Sequence, residues 1–212
     1  EDGYYRLSQP DGHWRLWHDD GTLAEENFWD GGKKIRTWRA WYPDGSKAEE
    51  SSYVDGKPHG PSLTWHESGK PEEEGHFEQG QRIGTWRRWH PEGQLRDSMS
   101  FVRQEVPDGE DLSVPDGPVL GLAEDGSKTL EGTWSLGKAS GSWRCYDEAG
   151  GAHELDPRVI VPFDSPRTEE EETSPLVDDA FPSQVSELCR AVRPSLPAEG
   201  AEEEDDEEGS GH

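Results

Sequence analysis

The chain has 212 residues, of which only 29% are hydrophobic, with one Met and five Phe but ten Trp. So few aliphatic residues exclude a thick globular core, and so many indoles point to a thin structure whose rings carry the burial. Forty-seven acidic residues against 21 basic ones leave a net charge of −26, which repels nucleic-acid phosphates and anionic lipid heads and favours a basic partner or a merely solvated surface.

Cys145 and Cys189 lie in stretches of quite different composition. The pair is expected to form no disulfide scaffold and no four-ligand zinc site, to suit a reducing cytoplasm, and to leave Cys145 as a small packing residue. No apolar run approaches the ~20 residues of a membrane helix, so a membrane partner is not expected. No signal-peptide pattern is visible, and because the sequence does not begin with Met, export stays open.

In chain order the dominant feature is a repeat. Gly21, Gly45, Gly69, Gly93, Gly126 and Gly150 are 24 residues apart except for the step from Gly93 to Gly126, which is 33. Four residues before these glycines stand Trp17, Trp41, Trp65, Trp89, Leu122 and Tyr146; seven before stand Trp14, Trp38, Ser62, Trp86, Val119 and Trp143. Eight after come Trp29, Tyr53, Phe77, Phe101 and Trp134. Asp20-Gly21, Asp44-Gly45 and Asp125-Gly126 between alternating apolar flanks predict two-residue hairpin turns with positive φ at both positions. Each unit therefore reads as strand, tight turn, strand, and residues 1–12 read as the second half of an earlier unit with Tyr5 at the aromatic position. The predicted register sets Arg15 against Glu26, Arg39 against Glu50, and Arg87 against Ser98 beside Asp97. The Glu25, Glu49, Glu73, Asp97 and Glu154 column is expected first to pair charges across strands, and second to form a ligand-binding stripe.

The unit Trp38-Arg39-Ala40-Trp41-Tyr42-Pro43-Asp44-Gly45, then Glu49-Glu50, then Tyr53-Val54-Asp55-Gly56-Lys57 resembles the MORN repeat family, and more closely its longer bacterial variant. The resemblance covers about residues 3–155 and fades at Leu122 and Leu130. It implies an all-β, elongated, twisted antiparallel sheet of successive hairpins in a domain spanning residues 1–155, without catalytic residues. It also implies an antitoxin- or immunity-like role, as described for bacterial members with this unit; other MORN proteins are scaffolds or lipid-surface binders.

The extra residues at 102–116, with two prolines and five acids, predict an exposed loop. Residues 156–212 hold no Trp or Tyr and 17 acidic against four basic residues, which predicts a mostly disordered acidic tail. Two islands interrupt it. Residues 158–163 read as a capping strand. Residues 183–192, with Val185, Leu188, Cys189 and Val192 at helical spacing, read as a short helix that either caps the sheet end or docks on a partner.

No nucleotide-binding, hydrolase or metalloprotease motif is present. His18, His66 and His90 share one repeat position, but Tyr42 breaks the series, so a metal column is disfavoured. The carboxylate columns follow the repeat, whereas an active site breaks it. The expected function is therefore non-catalytic binding, without cofactor, metal or direct nucleic-acid contact. The expected partner is another protein, of basic character, such as a toxin, a nuclease or a protease-like protein. The candidate contact residues are Trp17, Trp41, Trp65, Trp89, Glu25, Glu49, Glu73, Val185, Leu188 and Val192. The rival readings are a scaffold without a single client and an acidic decoy that mimics nucleic acid.

Overall fold

The computed structural model describes residues 2–105, 111–160 and Cys189. Thirteen strands form one sheet in strict sequence order, each antiparallel to the next. They are β1 (Asp2–Arg6), β2 (Gln9–Trp17), β3 (Leu23–Asp30), β4 (Lys33–Trp41), β5 (Lys47–Val54), β6 (Lys57–Trp65), β7 (Pro71–Glu78), β8 (Gln81–Trp89), β9 (Leu95–Gln104), β10 (Leu112–Leu122), β11 (Lys128–Ser135), β12 (Lys138–Tyr146) and β13 (Ala152–Leu155). The all-β hairpin array expected from the repeat is the observed fold, and no helix interrupts residues 13–100.

The turns differ from the expectation in an instructive way. The six repeat glycines have φ between 77° and 88°, but the residues before them do not have positive φ. In the first turn the His18 N–H donates to the Thr22 carbonyl at 2.9 Å, and Gly21 N–H donates to the His18 carbonyl at 2.9 Å. This is a three-residue loop, a type I turn followed by a left-handed glycine. Asp20, Asp44 and Asp125 each accept a backbone N–H two residues on, which fixes the turn. The extra loop residue would slip the register by one. A bulge between Leu16 and Trp17 restores it, so Arg15 still faces Glu26; the same holds for Arg39 with Glu50 and Arg87 with Ser98. The two-residue turns with both φ positive lie at the opposite edge, at Leu7-Ser8, Gly31-Gly32, Asp55-Gly56, Gln79-Gly80 and Leu136-Gly137.

Three further expectations are corrected. The 102–116 segment is not an exposed loop over most of its length: Leu112 to Pro115 pair with Gln104 to Phe101, lengthening one hairpin, and Val114 and Pro115 are buried. Burying these apolar side chains stabilises strand over loop. No capping strand begins at residue 158; Pro157–Val159 form a 3-10 turn that delivers buried Ile160 to the sheet end. Finally, Cys145 and Cys189 are joined by a disulfide, with Cα atoms 5.5 Å apart. Their distant sequence positions concealed a spatial meeting, and the cysteine argument for a reducing cytoplasm falls with it. The bond holds one residue of the 183–192 island against β12, as the capping alternative requires. Val185, Leu188, Val192 and the rest of the expected acidic tail lie outside the described residues.

Among the described residues the sheet has no second layer, so its burial comes from one face folding its rings over its own backbone. That packed face carries Trp14, Tyr53, Phe77, Trp86, Met99, Phe101, Val119, Leu130, Trp134, Trp143 and Leu155. Three indoles lie flat over a glycine of the preceding strand. A Cβ on Gly3, Gly75 or Gly132 would stand 2.1–2.3 Å from the ring of Trp14, Trp86 or Trp143. Each indole then meets an aromatic edge-on: Tyr5 at 4.8 Å, Phe77 at 4.8 Å and Trp134 at 5.2 Å respectively. In the unit of Trp38 the equivalent of the glycine is Asn27, whose Cβ occupies the slot. Trp38 accordingly turns to the other neighbour, Tyr53, at 5.8 Å.

Candidate interaction surface

Alternation along each strand sends the candidate contact residues to opposite sides of the sheet. Glu25 lies opposite Leu16 and Glu49 opposite Ala40, on the packed face. Trp17 and Trp41, one residue on from Leu16 and Ala40, project from the other face, together with Arg15, Glu26, Arg39 and Glu50. Trp65 and Trp89 follow the same frame. The Trp and Glu columns proposed as one contact set therefore cannot form one site.

On the packed face the Glu column is sequestered. Burial pushes the Glu49 carboxyl above its ordinary range, while a hydrogen bond from Ser51 and the charge of Lys34 oppose the rise. Glu73 is likewise raised by burial, against the pull of Arg82 and Arg88. It pairs with Arg82 at 3.1 Å, and Arg88 pairs with Asp97 at 2.9 Å. Lys34 lies 3.1 Å from the centre of the Trp38 ring, and burial draws its pKa down to about 8 although Glu49 and Glu25 pull it up. Arg82 stacks on Trp86 in the same way, at 4.1 Å. These carboxylates and cations thus form the polar part of the core. Trp38 Nε1, Tyr53 OH and Trp86 Nε1 are buried there without a hydrogen-bond partner among the described residues.

The opposite face is a ladder of charges and half-exposed rings. Glu26 accepts from His13 at 2.8 Å and lies 3.4 Å from Arg15 and 3.7 Å from Arg39. Burial works to raise its pKa, but the His13 and Arg15 hydrogen bonds outweigh it and hold the carboxyl low. Arg39 and Lys47 reach Glu50 at 3.3 and 2.8 Å, and Arg87 reaches Glu74 at 3.0 Å. Glu131 takes Lys128, Tyr146 and Arg144, and these hydrogen bonds bring its pKa to about 2. The charge pairing foreseen for the Glu25 column is present at Glu73 and Asp97, and it recurs in the neighbouring Glu26, Glu50 and Glu74 column. Only Glu154 crosses to the ladder, opposite Arg144.

The histidine column has a structural role. His18 Nε2 bonds the Trp41 carbonyl at 2.9 Å, Tyr42 OH the Trp65 carbonyl at 2.6 Å, His66 Nε2 the Trp89 carbonyl at 2.9 Å, and His90 Nε2 the Leu122 carbonyl at 3.0 Å. A carbonyl only accepts, so each Nε2 carries its proton. Histidine and tyrosine are interchangeable here because both reach one repeat ahead with a donor, which is why Tyr42 does not break the column. These bonds set the backbone from which Trp41, Trp65 and Trp89 project. No ring contact joins Trp41 and Trp65, whose positions lie two strand spacings, about 9.6 Å, apart.

All six tight turns lie on one long edge beside this ladder. The turns hold nine carboxylates, on Asp19, Asp20, Asp44, Glu67, Glu92, Glu124, Asp125, Asp147 and Glu148, and one cation, Lys70. Side-chain hydrogen bonds keep Asp20, Asp44, Asp125 and Asp147 below the usual carboxylate range, so these four hold their charge to lower pH than an ordinary aspartate.

A family model for the MORN repeat variant matches residues 58–79. The chain carries a MORN repeat. The matched stretch is the β6–β7 hairpin almost end to end, and the same strand–turn–strand unit recurs along the sheet. No curated protein matches the chain. Among the described residues no group of His, Cys, Asp or Glu is arranged to hold a metal ion, and no helix is long and apolar enough to cross a membrane.

Proposed function

We propose that the chain is a non-catalytic binding module that recognises a protein partner of basic character, in an antitoxin- or immunity-like inhibitory role toward a toxin, nuclease or protease-like protein. MORN repeats are binding modules for proteins and membranes and carry no catalytic machinery of their own. The observation that carries the reading is the one-sided arrangement of the outer surface: all six repeat-glycine turns on one edge, nine turn carboxylates along it, and partly exposed indoles on β2, β4, β6 and β8 beside it. Such a surface attracts cations over a long range and offers aromatic anchors of the type that dominate interface energetics.

The test is affinity capture from the native host on the full chain, followed by assay of the captured protein's own activity with and without the chain. A basic protein that is retained and inhibited supports the reading. If nothing is retained above a scrambled-charge control, the binding role is wrong. If the partner is retained only where nucleic acid fails to compete with the chain for it, contact lies outside the nucleic-acid site; mutual competition would instead favour the acidic decoy.

A further inference from the structure

The chain already shows how a cation sits on its ladder face. Lys47 Nζ lies 5.4 Å from the ring centre of Trp65 while pairing with Glu50 at 2.8 Å. Lys128 Nζ lies 5.9 Å from the Tyr146 ring while pairing with Glu131 at 2.6 Å. In both cases the lysine stands two residues after a turn glycine and covers the ring 18 residues later. The equivalent residues of two other units are Leu23, in register with Trp41, and Pro71, in register with Trp89. Among the described residues no cation lies over Trp41 or Trp89, and Trp17, at the start of the row, is 39% exposed.

Resting on the binding reading above, we propose that Trp17, Trp41 and Trp89 are the seats for arginine or lysine side chains of an extended basic segment of the partner, which supplies from outside the cations that Lys47 and Lys128 supply from within. Charge complementarity selects this occupant. The row runs beside nine turn carboxylates and a single turn lysine, so a cation arriving there meets an indole face and a negative edge together. Spacing selects an extended chain. Equivalent rings are two strands apart, about 9.6 Å, close to the ~9.3 Å of one polyproline-II turn. Anionic polymers are disfavoured by the same edge, and a purely apolar segment gains nothing from it.

The probe is a peptide of four Arg-Pro-Pro triplets, with four Gln-Pro-Pro triplets as the neutral control. Binding to the full chain is followed by titration calorimetry and by the indole Nε1–H resonances. The arginine peptide is expected to shift Trp17, Trp41 and Trp89 and to bind more weakly as salt shortens the screening length to about 8 Å. Removing both rings with Trp41→Ala and Trp89→Ala should weaken it by roughly tenfold or more, at about fivefold per ring.

Because those changes could loosen the fold, a second variant leaves the indoles intact: Leu23→Lys should place the chain's own ammonium over Trp41 and cut affinity about fivefold. Gln94→Lys, which adds the same charge to an exposed turn away from that register, serves as its control. Equal affinities for Leu23→Lys and Gln94→Lys would overturn the proposal. So would equal binding of the neutral peptide, or no binding of the arginine peptide. A host partner retained equally by wild type and by the Trp41→Ala/Trp89→Ala chain would overturn the seats but leave the binding module standing; loss of capture by wild type itself would sink the module reading instead.

Discussion

The packed face predicts a specific coupling between a glycine and an indole on neighbouring strands. Trp143 is fully buried, at 0% exposure, and its ring lies where a Cβ on Gly132 would be, at 2.3 Å. Gly132→Ala therefore cannot be absorbed by a flexible chain end; the indole must tilt away from Trp134, which is 1% exposed. Overpacking of this kind costs about 1–3 kcal/mol. Trp143→Ala alone should cost about 3–5 kcal/mol, the range for large aromatic truncations in a core. In the double variant the methyl group enters the space the indole vacates, and alanine in place of glycine improves the strand by roughly 0.5–1 kcal/mol. The strand gain is common to the single and the double variant and cancels, so the two changes together should cost less than their sum by the overpacking cost, about 1–3 kcal/mol, well above the few tenths expected of independent sites. Urea denaturation of the wild type, both single variants and the double variant measures the cycle. Additivity within error would mean that Trp143 does not rest on Gly132 and would refute the ring-over-glycine account of how a one-layer sheet buries its surface.

Four other outcomes are expected. Trp65→Ala should destabilise far less than Trp143→Ala, by about 1–2 kcal/mol, because Trp65 is half-buried on the ladder face and leaves no closed cavity; equal losses by thermal melting would contradict the assignment of faces. Breaking the disulfide with Cys145→Ser should lower stability by up to about 4 kcal/mol, the chain-entropy value for a loop closed across 44 residues, and thiol titration of the unfolded wild type should find no free sulfhydryl. Glu131, drawn down to about 2 from an ordinary 4.5, contributes stability that is present above 4.5 and lost as pH falls toward 2, so Glu131→Gln should flatten the acid limb of the unfolding curve in that window. Lys34, lowered from 10.5 to about 8, binds its proton less readily folded than unfolded; stability should therefore rise between pH 8 and 10.5, and a Lys34→Met chain should lack that rise.

Much of the fold was legible because the repeat is written in glycines and aromatics at a constant period. The cross-strand pairs of Arg15 with Glu26 and Arg39 with Glu50 followed from counting alone, even though the turn is a three-residue loop; the error in the turn and the bulge after it cancel. Two features were not legible in that way. The 102–116 segment looked like a loop because Pro107, Pro115 and its acids break a strand pattern, yet Pro115 sits where the β9–β10 register shifts and needs no ladder partner. The disulfide escaped because sequence distance says nothing about where residue 189 returns. One signal was present but unread: Gly3, Gly75 and Gly132 each precede Trp14, Trp86 and Trp143 by 11 residues. That interval is the mark of a ring lying over a bare backbone one strand back.

The division of labour between the faces also explains why the candidate contact residues fall on both sides of the sheet. A period of two sends Glu25 and Glu26 to opposite sides, and a repeat search scores both columns equally. Only the environment separates them. Near Glu25 stands Lys34, and burial raises the carboxyl of Glu49 in the same column against the pull of Lys34; beside Glu26 stand His13 and Arg15, which hold it low, and Arg39. The second set is the more open of the two, and Glu73 in the first is the more withdrawn. Departures from the repeat then gain meaning according to the face on which they fall. Asn27 in place of glycine re-aims one core ring and is a packing matter. Leu23 and Pro71 in place of lysine leave two outer rings, Trp41 and Trp89, without an internal cation among the described residues, and that is a surface matter.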